Sequence, residues 1–183
     1  MAQNQSSPSL DGSSMIIDNS GIWANALYWL KLGSQDQATN FLWDFEFQVD
    51  TASVTAAQAL EFDSFQAVDG YNYMMGTQCD YGNGFWDLWD ESNSAWHATT
   101  IPCPKFAPGS WHHIQLYTQR LSGSPQYQFI TLVVDGNSYA LGQTYSAKNV
   151  GWNDVLGVQY QLDVNATGAE YQEWIDQSTL SIW

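Results

Sequence analysis

The chain has 183 residues, nineteen Asp and Glu against four Lys and Arg, and 15% aromatic residues, ten Trp and ten Tyr among them. Its formal net charge of −15 argues against nucleic acid and against an anionic membrane surface, since both need a cationic protein face. The length suits one domain with a real core, and the aromatic content exceeds what a core needs, which leaves flat amphipathic rings for a surface.

Residues 1–14 (MAQNQSSPSLDGSS) are polar and lack the apolar core of a signal peptide, so they read as a flexible N-terminal tail ahead of one domain at 15–183. Period-two alternation then dominates, and no long segment shows the helical i, i+3, i+4, i+7 pattern. Asn25 to Leu32 reads as a strand. Phe41 to Val49 (FLWDFEFQV) puts Phe45, Phe47 and Val49 on one face and Asp44, Glu46 and Gln48 on the other. Ser53 to Gln58 is the one weak helix candidate. Ala59 to Phe65 (ALEFDSF) alternates again, with Leu60 and Phe62 opposed to Glu61 and Asp63. Tyr71 to Gln78 and Phe85 to Trp89 follow as strands.

A loop rich in proline spans Ile101 to Ser110, and Trp111 to Gln119 is the next strand. Gln128 to Val134 and Ser138 to Gly142 form a hairpin around Asp135-Gly136, because both central residues of the favoured two-residue turn need positive φ. Val155 to Val164 and Ile175 to Trp183 close the chain. Strands at this spacing, with turn residues between them, indicate an all-β sandwich or barrel. Cys79 and Cys103 form an even pair in a chain of secreted character, which points to one disulfide worth about 3 kcal/mol.

Three segments resemble the concanavalin A-like lectin and glucanase superfamily, across roughly Ile16 to Trp183. Glu61-Phe62-Asp63 resembles the Glu-Phe-Asp strand of legume lectins and the Glu-x-Asp-x-x-Glu strand of laminarinase-type glycoside hydrolases. Gly109-Ser110-Trp111-His112-His113-Ile114, leading to Val134-Asp135-Gly136, is similar to a strand and hairpin of laminin-G-like sandwiches. Trp174-Ile175-Asp176 precedes a closing strand. The resemblance implies a two-sheet antiparallel jelly-roll β-sandwich, on which lectins, binding modules, hydrolases and lyases all occur.

Glu61 and Asp63 are two apart on a strand, so they project from one face about 6.6–7 Å apart. If the strand of Asp44 and Glu46 paired with theirs, four carboxyls would share a face and could bind a cation, raise one pKa, or accept hydrogen bonds from sugar hydroxyls. In the laminarinase-like pattern the first Glu is the nucleophile and the last the acid/base. Gln66 stands where that last Glu belongs, and Gln has no proton to lend. An inverting pair, Glu46 with Glu61, stays open. The lectin pattern breaks as well, because no His follows until His97; a single structural calcium is the metal left to consider.

Trp86, Trp89 and Trp96 cluster near Asp87, Asp90 and Glu91. Trp86 and Trp89 are three apart and face opposite sides of a regular strand, so one belongs to the core and the other is free to stack on a sugar. His112 and His113 are adjacent and cannot form a two-His metal site from one strand.

The reading is an extracellular, monomeric carbohydrate-binding domain that takes a neutral polysaccharide or oligosaccharide on a concave sheet and requires no cofactor. Its expected ligand residues are Asp44, Glu46, Glu61, Asp63, Gln78, Trp86, Trp89 and Trp96. The alternatives are an endo-acting glycoside hydrolase using Glu61, Glu46 and Asp63, and a structural or adhesive sandwich without a sugar site.

Overall fold

The computed structural model describes residues 1–183. In chain order the strands are β1 (Ala2–Gln5), β2 (Ser14–Asn19), β3 (Asn25–Gly33), β4 (Asn40–Val49), β5 (Ala57–Val68), β6 (Tyr71–Asp80), β7 (Phe85–Asp90) and β8 (Ala95–Pro102). They continue with β9 (His112–Arg120), β10 (Gln126–Val134), β11 (Asn137–Ala140), β12 (Thr144–Ser146), β13 (Lys148–Asn149), β14 (Val155–Val164) and β15 (Tyr171–Ile182). One helical turn, α1 (Ser53–Ala56), lies between β4 and β5; the last two residues of the expected helix open β5 instead.

Two antiparallel sheets result. One has the order β1-β2-β15-β4-β9-β10-β11, with β12 on β10, and the other the order β3-β14-β5-β6-β7-β8, with β13 on β6. Alternation decides which faces meet. Phe41, Trp43, Phe45, Phe47 and Val49 of β4 point inward, as do Leu60 and Phe62 of β5, and all are buried. The Phe45 and Phe62 rings are 4.9 Å apart, and Trp43 meets Tyr160 at 5.0 Å. The core is therefore a layer of aromatic rings between the sheets, as aligned sandwich packing requires.

The Asp135-Gly136 hairpin forms as expected, with Val134 opposite Asn137 and both turn residues at positive φ. Asp69-Gly70 makes a second turn of the same kind and joins β5 to β6. Cys79 and Cys103 are disulfide-bonded, with Cα atoms 5.5 Å apart, which ties β6 to the segment after β8. Residues 1–14, expected as a flexible tail, lie along a sheet edge. Ala2 pairs with Ile16 and Gln5 with Ser14, and the Leu10 N–H donates to Asp176 Oδ2 at 2.6 Å.

Candidate functional site

β5 is an interior strand, paired along its length with β14 on one side and β6 on the other. Its outward residues therefore sit at the middle of the open face of the β3-to-β8 sheet. The pairing aligns them in rows. Asp63 is opposite Gln159 on β14 and Gly76 on β6; Gln159 is opposite Trp29 on β3. On the other side the register of Thr77 with Leu88 sets Trp89 beside Gly76, and Trp89 is opposite Trp96 on β8. The neighbouring row runs through Leu27, Gln161, Glu61, Gln78, Asp87 and Ala98.

The centre of this face is a bonded carboxyl cluster. Gln161 Nε2 donates to Glu61 Oε2 at 2.8 Å, and Gln159 Nε2 donates to Asp63 Oδ2. Glu61 and Asp63 are successive outward side chains of β5. Burial first, and then the adjacent Asp63 carboxyl, pushes Glu61 far above the usual carboxylate range. Burial also raises Asp63, with neighbouring Glu61 and the bond from Gln159 pulling it back. Two neighbouring carboxyls in a buried setting resist ionising together. Asp63 is 1% exposed, and its Oδ1 takes no N–H or O–H donor from another side chain or the backbone.

Trp89 and Trp96 form the wall beyond Gly76. Their rings meet edge-on at 5.0 Å. Trp89 Nε1 donates to Glu91 Oε2 at 2.7 Å, while Asn72 Nδ2 holds the other Glu91 oxygen at 2.9 Å. A cavity of about 260 Å³ is enclosed by this wall, Glu91, Met74 and the Glu61–Asp63 pair with its two glutamines. Gln78 lies beside it and donates to Asp87 Oδ2 at 2.8 Å. The arrangement offers acceptors and amide donors flanked by indole faces.

The structure brings together Glu61, Asp63, Gln78, Trp89 and Trp96. It does not bring Asp44 and Glu46 to them. β4 pairs with β9 and β15, never with β5. Because the inward faces of β4 and β5 pack on each other, their acidic faces point away on opposite sides of a core about 10 Å thick. The expected Glu46–Glu61 carboxyl pair is therefore not formed; Asp44 instead accepts from Gln115 Nε2 at 2.6 Å and lies 2.8 Å from His113 Nε2. Trp86 is the core member of its pair, fully buried. Gln159, Gln161, Glu91 and Trp29 are on the site face although sequence reasoning did not place them there. The Gln-x-Gln-x-Asp alternation of β14 was the available signal for the first two.

Gln66 is settled by strand geometry. β5 runs without a bulge from Ala59 to Ala67 against both neighbours. Position 66, five residues from Glu61, thus faces inward, where Gln66 Nε2 donates to the carbonyls of Gln35 and Ala38 at 2.8 and 3.2 Å. A glutamate there would not face the carboxyl pair. Gln66→Glu is expected to release no sugar from any glucan and to lose about 3 kcal/mol of stability, because it aims a buried carboxyl at two carbonyl oxygens; reducing-sugar assay and urea denaturation check both.

No protein-family model matches the sequence, and neither does any curated protein. Solved structures do match in fold. Alginate lyase Aly36B superposes with a TM-score of 0.58 at 12% identity, over 93% of this chain and 81% of that one. The cellulose induced protein Cip1 gives 0.58 at 12% identity, over 98% and 84%. The family 7 alginate lyase A1-II' gives 0.51 at 9% identity, over 94% and 78%. The fold is a two-sheet antiparallel jelly-roll sandwich.

Proposed function

We propose that the chain is an extracellular carbohydrate-binding domain that holds a neutral polysaccharide on the open face of the β3-to-β8 sheet. The observation that carries this reading is the row Gln159–Asp63–Gly76–Trp89–Trp96. Carboxyl and amide groups suited to sugar hydroxyls stand beside indole faces suited to the apolar C–H side of a pyranose. Glu61, Glu91, Gln159 and Gln161 line one cavity with Trp89 and Trp96, so polar groups and rings face the same hollow. Recognition of this kind runs through side chains and requires no metal. The Cys79–Cys103 disulfide fits an oxidising, extracellular setting.

Two features weigh against chemistry on a glycosidic bond. Hydrolysis needs two carboxyls that both reach the glycosidic bond, whereas Glu61 and Asp63 are 9% and 1% exposed and the Glu46 partner expected for Glu61 lies on the other sheet. A polyuronate, as the alginate of the similar lyases would be, brings a carboxylate on every sugar. Glu91 lines the site, Lys31 stands only at its margin, and the chain's net charge is −15, so such a polymer is repelled.

The test is retention on insoluble cellulose, xylan and mannan and mobility in gels containing soluble β-glucan or alginate, with reducing ends and unsaturated products followed in parallel. A neutral polymer is expected to retain the protein without product. Trp89→Ala is expected to weaken retention about tenfold or more through lost ring contact, and Asp63→Asn to weaken it as well. Preference for alginate, or no retention by any polymer, sinks the reading. Sugar release abolished by Glu61→Gln would make the domain an enzyme.

A further inference from the structure

A second cavity adjoins the first on the same open face. It measures about 370 Å³ and shares Met74 and Gln159 with its neighbour. Its outer walls are Trp29 and Trp152, which are 55% and 45% exposed. Two large rings left in water around one hollow forgo burial that a core would give them, which marks a surface that gains by being covered. Trp29 belongs to the same row as Asp63, because it is opposite Gln159.

Resting on the reading above, we propose that the two cavities are one array of subsites, and that the ligand is an internal stretch of an unbranched neutral glycan lying across the strands. Trp29 and Trp152 hold one end, Trp89 and Trp96 the other, and Gln159 with Asp63 the middle.

Three observations carry this. First, the row crosses β3, β14, β5, β6, β7 and β8. Five interstrand steps span about 24 Å, the length of about four or five pyranose units in an extended chain. Second, β3 and β8 are the two edge strands of that sheet. The row therefore ends at open margins, where a longer polymer runs on. Third, the floor between the aromatic ends is kept low. Gly76 places no side chain between Asp63 and Trp89, and Gly157 leaves the space that the Phe65 ring occupies. A chain can cross such a floor, whereas a pocket for a single terminal sugar would be walled.

The experiment is tryptophan-fluorescence titration with linear cello-, xylo- and manno-oligosaccharides of two to six units. In the series that binds, affinity is expected to climb steeply up to four or five units and then level off, with the polymer binding as well as the hexamer. Trp29→Ala and Trp152→Ala are each expected to weaken hexasaccharide binding about tenfold and trisaccharide binding much less. Both rings are about half exposed and lie outside the core, so the variants are expected to melt close to the parent. Affinity that is flat from the disaccharide upward, or hexasaccharide binding indifferent to Trp29→Ala and Trp152→Ala while Trp89→Ala abolishes it, overturns the array and leaves the central site standing. No binding at any length overturns both.

Discussion

Gly76→Ala is expected to abolish glycan retention in a protein that still folds. An added Cβ at position 76 would overlap Asp63 Oδ1 and stand 3.1 Å from both Asp63 Cγ and Trp89 Cβ. Neither neighbour can yield cheaply. Asp63 is on a strand paired on both sides and is tethered by Gln159. Trp89 is pinned through its indole N–H to Glu91. The methyl group must push the carboxyl or the indole off position, at a cost of about 1–3 kcal/mol, the usual range for overpacking. The inward side of β6 at Met75 and Thr77 is untouched, so the sandwich survives. Retention on the best polysaccharide should fall more than in Asp63→Asn, because two ligand groups move at once. Circular dichroism confirms the fold, and unimpaired retention in the alanine variant would remove the Asp63–Trp89 gap from the binding site.

The same glycine shows where sequence reading stops. Alternation along FLWDFEFQV and ALEFDSF correctly separates inner from outer residues, because burial on one face of a sheet imposes period two. It says nothing about which strand lies next to which. β4 and β5 are consecutive, yet they belong to different sheets, so the expected union of Asp44 and Glu46 with Glu61 and Asp63 failed although each strand was assigned the right face. The neighbours of β5 are β6, which follows it, and β14, about a hundred residues further on. The β14 glutamines look like ordinary solvent-facing polar residues until the register sets them on Asp63 and Glu61. Trp29 was hidden differently. In ALYWLKL apolar residues occupy both faces, so alternation cannot distinguish an edge strand with an exposed ring from a buried one. Trp86 and Trp89 were separable in principle by their odd spacing, and the contacts of Trp86 with Phe62 and Phe106 identify it as the core member.

Stability is expected to fall as pH rises from 5 to 8, with Glu173 as one clear contributor. Glu173 lies on the inward face of β15, fully buried, and neither carboxyl oxygen has a donor. Burial holds its pKa well above the ordinary value of 4.5, and the surrounding groups, Tyr81, Tyr160 and Tyr171, offer it no positive charge. The folded chain keeps this proton while the unfolded chain releases it near 4.5. The stabilisation is thus complete below that value and is lost, by up to about 1.4 kcal/mol per pH unit, as pH rises toward the folded value. The Glu61–Asp63 pair is shifted in the same direction and adds to the slope. Asp90 acts oppositely: burial would raise it, but the bonds from Asn93 and Ser92 prevail and hold it low, so its contribution is lost only in acid below this window. Urea denaturation at pH 5, 6, 7 and 8 measures the slope. Glu173→Leu should flatten it by about one proton, with the gain over the parent growing as pH rises. Stability that increases from pH 5 to 8, or an unchanged slope in Glu173→Leu, would show that Glu173 ionises freely in the folded chain and that its burial costs the protein nothing.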